Sequence, residues 1–506
     1  MSKLSKYREN YRRLEAQRDD LEQRIAEDCK RSGHGRPRSR REFLNRGLRT
    51  ATATVFLPSI STLLAQNAYA ECVIDNDPAL GAGKIPFLCF DQGGGANIAG
   101  SNIMVGGMGG QEDFLEARGY AKLGLPEAII PQNVGVDRSF GLAMHPNSAM
   151  LRGLMSKTSA GTRANTNGAI IPARSDNDTG NNPHNPIYGI ARAGASGEFV
   201  ATIGTRNSDS GGRSQAPSSM IVPDFRPSRV RSRNDAVGLA GGDQGGTPNA
   251  RIAAASSVIT ALKLGQITEA AATKELVQCG FDKTTATFDT PIQASDLDPN
   301  QDTILQDIFP GAELTNGDFV RAAATMKCVV NGYAGAGTIE YGGRDYHQDP
   351  RSETDGKDFV VGQAMGAALE YAARLSKPLM IYGFSDGSVS ADTNREEDDG
   401  NGVSKFRWRS DNSQTAASFF LVYSPAGRPA LRDGNASQQL GYFRPEGNVE
   451  TTSTPFANSV TTLSEMVVLN YLALHGEQAM FGNVLNNPGL GTGAAVDPYI
   501  AFNPIV

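Results

Sequence analysis

The feature that most narrows the fold is an alternation, repeated after residue 71, of short apolar runs with longer helical patterns. Ile85-Pro86-Phe87-Leu88-Cys89-Phe90 is continuously apolar and ends in Asp91-Gln92-Gly93-Gly94-Gly95. That is the pattern of a strand buried on both faces running into a glycine turn. Runs of similar length lie at 199–203, 337–341, 379–384 and 418–423, and helical periodicity marks 251–264, 319–330, 358–374 and 460–474. Strands separated by long helices predict an α/β fold with a mostly parallel central sheet and helices on both faces. In such sheets ligands bind beyond the carboxyl ends of the strands. Residues 207–248, rich in Ser, Arg, Gly and Pro, read as a long loop, and about 249–331 reads as a helical insertion.

The region before residue 71 has a different character. Ser39-Arg40-Arg41-Glu42-Phe43-Leu44-Asn45 resembles the twin-arginine export signal, with Asn45 where a basic residue is usual. A weakly apolar stretch at 47–65 follows, and then Ala68-Tyr69-Ala70, a small-x-small cleavage pattern. Arg49, Pro58 and several hydroxyl residues make the stretch too polar for a span of about twenty apolar residues. Residues 1–70 are therefore expected to be a removable signal that engages the twin-arginine translocation machinery. The folded part would be residues 71–506, periplasmic or exported further, with no stable membrane span. Ahead of the arginine pair, Leu4, Tyr7, Tyr11, Leu14, Arg18, Leu21 and Ile25 form a heptad seam.

Without that leader the charge balance becomes strongly acidic. The chain has 48 Lys+Arg and 54 Asp+Glu, of which residues 1–70 hold 15 and 8, so 33 basic and 46 acidic groups remain, a net −13. Nucleic acids and anionic lipids need a cationic face, so neither is an expected partner; a small-molecule or envelope ligand is. Cys72, Cys89, Cys279 and Cys328 follow the cleavage site. In an oxidising compartment four cysteines allow two disulfides in three connectivities. Nearest neighbours are the expected pairs.

Chemistry concentrates at predicted strand ends. Asp345 and His347 follow the 337–341 run two residues apart, so alternation puts both on one side. Asp386 follows the 379–384 run and Asp91 ends the first. Carboxylates with an imidazole suit a divalent metal ion. Two stretches, Asp296-Asp298-Asn300-Asp302 and Asp392-Asn394-Glu396-Asp398, place oxygen donors at alternate positions, and 176–182 is similar. Ca2+ is the second metal reading there. Neither stretch has the central Gly or closing Glu of an EF-hand, so solvated acidic loops are the expectation.

The order of these segments resembles a family of twin-arginine-exported proteins catalogued as domain of unknown function 1501, related to alkaline phosphatases and sulfatases. The matching residues are the Phe87–Gly95 strand and turn, His145-Pro146 with the helix pattern after it, Asn181-Asn182-Pro183-His184, Gly342-Gly343-Arg344-Asp345-Tyr346-His347 and Ser385-Asp386-Gly387. The resemblance implies an alkaline-phosphatase-like architecture and metal-dependent hydrolysis of phosphate or sulfate esters. Asp345, His347 and Asp386 would hold the metal with Asp91 or Asp411, and His184 and His145 would stabilise the oxyanion or leaving group. Two departures point to the alternative, an envelope binding or assembly protein without catalysis. Ser410-Asp411-Asn412-Ser413 stands where the family has Asp-His-Gly, and no Ser or Thr marks itself as the group-accepting nucleophile. A secretion-associated accessory role, resting on the heptad seam, ranks third.

Overall fold

The structure, a computed structural model, describes residues 83–176, 179–239, 294–347 and 349–506. The export motif, the heptad seam, the 251–264 helix pattern, Cys72 and Cys279 lie outside the described residues.

Fourteen segments carry the architecture: β1 (Phe87–Gln92), α1 (Ala149–Lys157), β2 (Thr166–Pro172), α2 (Ile187–Arg192), β3 (Val200–Gly204), β4 (Ser228–Arg229), α3 (Gly317–Val330), β5 (Ala334–Tyr341), α4 (Arg351–Arg374), β6 (Leu379–Ser385), β7 (Val389–Asp398), β8 (Ser404–Asp411), β9 (Ala417–Tyr423) and α5 (Val460–Leu474). Seven strands form one sheet in the order β2-β9-β6-β1-β5-β3-β4, and β7 with β8 form a separate antiparallel pair. Within the large sheet only the β9 contacts, to β2 and β6, are antiparallel. The sheet is thus mostly parallel with one reversed strand.

Strand alternation divides its side chains between two cores. Leu88, Phe90, Ile339 and Ile381 join α1, α3 and α4 on one face. Phe87, Cys89, Ala336, Met380 and Tyr382 join α2 and α5 on the other. Being covered on both sides is why β1 is buried at all six positions and reads as a continuous apolar run. Of the expected helical insertion, the described C-terminal part ends in α3, which packs against β5 and β1.

Helix α4 is held on its face of the sheet by a close crossing with α1. A Cβ at Gly153 would lie 2.2 Å from Phe359 O, and one at Gly362 would lie 2.2 Å from Met150 O. Only glycine lets the two backbones approach so nearly. Among the described residues no helix is long and apolar enough to cross a membrane.

Each expected disulfide has one member, Cys72 or Cys279, outside the described residues. Cys89 and Cys328 are free and buried. Each fills a sheet-facing core, on opposite faces, and the Cys89 thiol donates to Asn185 Oδ1 at 3.6 Å.

Candidate functional site

The carboxyl ends of β1, β5 and β6 meet around the turn Gly93-Gly94-Gly95. Gly94 has φ +129°, and a Cβ there would lie 2.4 Å from Asp345 N. A Cβ on Gly95 would lie 3.6 Å from Asp411 Oδ1. The turn therefore abuts the loop after β5 and the end of β8, and the side chains it lets approach form a cluster. One ligand atom each from Asp345, His347 and Asp411 lies within 4.8 Å of the others. His347 Nδ1 contacts Asp345 Oδ1 directly and sits 3.4 Å from Asp411 Oδ1. Their side chains keep 45, 32 and 56 % of their accessible surface, so the cluster opens to solvent. Two carboxylates and an imidazole in one reach, with an open side, fit a divalent ion that retains water.

Asp386 and Asp91, expected in the same metal set, lie instead inside the protein. Asp386 is fully buried, with Oδ1 accepting from Gly94 N at 2.6 Å and Oδ2 3.5 Å from Arg213 Nε. Asp91, also fully buried, accepts from Ser214 N at 2.8 Å and Ser214 Oγ at 3.1 Å. These bonds hold the two carboxylates to their own neighbours, so neither is among the three clustered donors. Burial, followed by the negative charge of Asp386, pushes the Asp91 carboxyl up to about 7 against the pull of the Ser214 hydrogen bond.

The two histidines expected to act in catalysis are buried too. His145 Nε2 contacts Ile129 O at 2.7 Å and Nδ1 accepts from Asn147 N at 3.1 Å. It braces a loop, and burial lowers it to about 4. His184 stacks on Phe384 with ring centroids 5.7 Å apart, neither ring nitrogen has a hydrogen-bond partner among the described residues, and burial lowers it to about 3. Both rings are neutral at pH 7. Neighbouring hydroxyls are engaged as well: Ser385 Oγ donates to Gln92 O or Gly94 O, and Ser388 Oγ lies 3.1 Å from Thr415 Oγ1.

The acidic stretches have structural duties. Asp298 accepts from Asn300 N and pairs with Arg233 at 2.6 Å, while Asp302 caps the helix Thr303–Ile308 and pairs with Lys327 at 2.6 Å. The alternation from Asp392 to Asp398 belongs to strand β7. Asp399 is buried against Lys405 at 3.2 Å. Caps, ion pairs and strand pairing thus engage Asp298, Asp302, Asp399 and the 392–398 run.

Several residues at this edge have roles that the sequence did not signal. Arg213 sits in the 207–248 segment, and its close neighbours Gly93 and Gly180 are the one hint, since Cβ atoms there would meet its side chain at 2.3 and 3.0 Å. Tyr346, between the two clustered ligands in sequence, is buried and donates to Asp358 Oδ1 at 2.6 Å. Asn182 Nδ2 donates to Asp386 O at 2.7 Å, tying the Asn-rich loop to the same edge. Comparison with known protein families, curated proteins and solved structures found no match.

Proposed function

We propose that this chain is an exported α/β protein, akin in architecture to alkaline phosphatases, that binds one divalent cation between Asp345, His347 and Asp411 and hydrolyses phosphate or sulfate esters. The single observation that carries this reading is the solvent-open convergence of those three donors at the carboxyl edge of a mostly parallel sheet. A bound divalent ion supplies Lewis acidity toward an ester oxygen and an acidified water. Asp345 and Asp411 set the negative charge that attracts it, and His347 provides a nitrogen donor between them. Arg213, lying across Gly93 and partly exposed, is suited to an ester's anionic oxygens.

The test is metal analysis of the purified protein together with turnover of p-nitrophenyl phosphate and p-nitrophenyl sulfate. One equivalent of cation is expected, with hydrolysis, and both should vanish in Asp345→Ala. A wild type that takes up no cation and turns over neither ester would sink the proposal.

A second reading, a cation-dependent binding protein of the same fold, is favoured by the engagement of Ser385 and Ser388, which leaves neither hydroxyl free as a nucleophile. Stoichiometric cation without turnover would select it. Export has its own check: Arg40→Lys with Arg41→Lys should hold the precursor in the cytoplasm.

A further inference from the structure

The three clustered donors come from two segments that share no regular element. Asp345 and His347 lie on the loop after β5, and Asp411 is the last residue of β8. Something must fix their separation, because a cation site tolerates only a few tenths of an ångström of looseness in its ligands.

We propose that Tyr346 is the positioning residue that locks these two segments together, an inference that rests on the cation reading above. Tyr346 is covalently joined to both loop ligands, and its side chain runs inward, fully buried, while theirs stay exposed. Its ring packs with Ala96, Val389 and Trp408. Val389 is the register partner of Asp411, and Trp408 lies three residues before Asp411 on the same strand. The ring thus shares one buried cluster with the hairpin that carries the third ligand.

The hydroxyl fixes how deep the ring sits. It donates to Asp358 Oδ1 at 2.6 Å, and Asp358 Oδ2 in turn accepts from Asn102 Nδ2 at 2.7 Å. Asp358 stands on α4, the helix held by the glycine crossing, so the anchor is rigid. Trp408 is in turn pinned by Arg351, whose guanidinium carbon lies 4.1 Å from the indole centroid and whose Nε is 2.9 Å from Asp355. Asp345 and His347 are thus bonded to the residue that bears the ring, and Asp411 is linked to the ring's buried cluster through Val389 and Trp408, while the ring cannot shift without breaking a buried hydrogen bond.

The experiment is a Co2+ titration of the whole protein, followed by calorimetry and by the visible absorption of bound cobalt, on wild type, Tyr346→Phe and Tyr382→Phe. Tyr346→Phe keeps the ring and removes the anchor, and an affinity about 10-fold weaker is expected, as for other outer-shell partners of metal ligands, with an altered absorption band. Tyr382 is a fully buried sheet tyrosine whose hydroxyl lies 3.3 Å from Ser418 Oγ. Its Phe variant should lose stability yet bind Co2+ as wild type does. Unchanged affinity in Tyr346→Phe, or equal weakening in both variants, overturns the assignment. If Tyr346→Phe does not fold, Asp358→Ala, which removes the acceptor of the Tyr346 hydroxyl, reads the same link: weaker Co2+ binding supports it, and wild-type binding overturns it. Failure of the wild type itself to bind Co2+ removes the cation site and this proposal together, a result distinct from a wild type that binds and a variant that does not differ.

Discussion

Asp91→Asn offers the sharpest measurement, because one buried carboxyl should tilt the stability of the whole chain with pH. An acid whose folded-state pKa is raised binds its proton more tightly folded than unfolded, so stability falls as pH rises between the two values. For Asp91 the span runs from 3.8 to about 7. At about 1.4 kcal/mol per pH unit, the full span is worth on the order of 4 kcal/mol. Below pH 4 the penalty is absent, and above pH 7 it is complete. Asparagine keeps the shape, can accept from Ser214 N and can donate to Ser214 Oγ, so the local hydrogen bonds survive while the ionisation is removed. Urea unfolding of both proteins at pH 4, 5.5, 7 and 8.5 isolates the effect, since all other titrating groups are common to the pair. The variant should gain on the wild type by about 1.4 kcal/mol per unit from pH 4 to 7 and then hold a constant lead. Parallel stability curves would show that Asp91 is ionised in the fold at ordinary cost, and the burial argument would be wrong.

Three further outcomes follow from the same contacts. His184, lowered to about 3, is a base that charges more readily when unfolded, so it removes stability as pH falls below 6.5; His184→Leu should abolish about 3 kcal/mol of acid-side loss at pH 4, read as a smaller drop in melting temperature between pH 7 and pH 4 than in wild type. Gly94→Ala puts a methyl group 2.4 Å from Asp345 N at a backbone φ of +129°, so cation uptake should fall sharply in a chain that still shows wild-type far-ultraviolet circular dichroism. Lys405→Met leaves Asp355 and Asp399 buried without their shared cation, and chemical denaturation should register a loss of about 3–5 kcal/mol.

The sheet's centre was legible because burial on both faces makes most of a strand apolar, as in Phe87–Phe90 of β1 and Leu379–Phe384 of β6. Strand β2 escaped notice since it opens with Thr166-Asn167-Gly168, whose polar atoms bond within the interior: Asn167 Nδ2 donates to Pro429 O at 2.8 Å. The β7–β8 pair escaped because its residues are charged, and the two-residue repeat of a strand is also the repeat of oxygen ligands in a loop. At the site, Asp345 and His347 stood out by their spacing after a strand. Asp411 entered only through the resemblance to a family, in a stretch, Ser410-Asp411-Asn412-Ser413, that lacks that family's His. Asp91 and Asp386 occupy strand ends just as Asp345 follows one, yet they turn inward. The difference lies in Ser214, Gly94 N and Arg213, groups that reach them from distant segments, and no local pattern reports such partners.

The place of β1 has a consequence for how the molecule comes into being. It is the earliest strand among the described residues, yet its neighbours on either side are β5 and β6, with Phe87 opposite Ala336 and Met380. On a ribosome adding roughly 5–20 residues per second, a largely apolar segment waits on the order of ten seconds or more before the first of those neighbours is made. The middle of the sheet can only close late, so the nascent protein depends on something else to shield that segment until then, and its maturation is paced by synthesis of its second half.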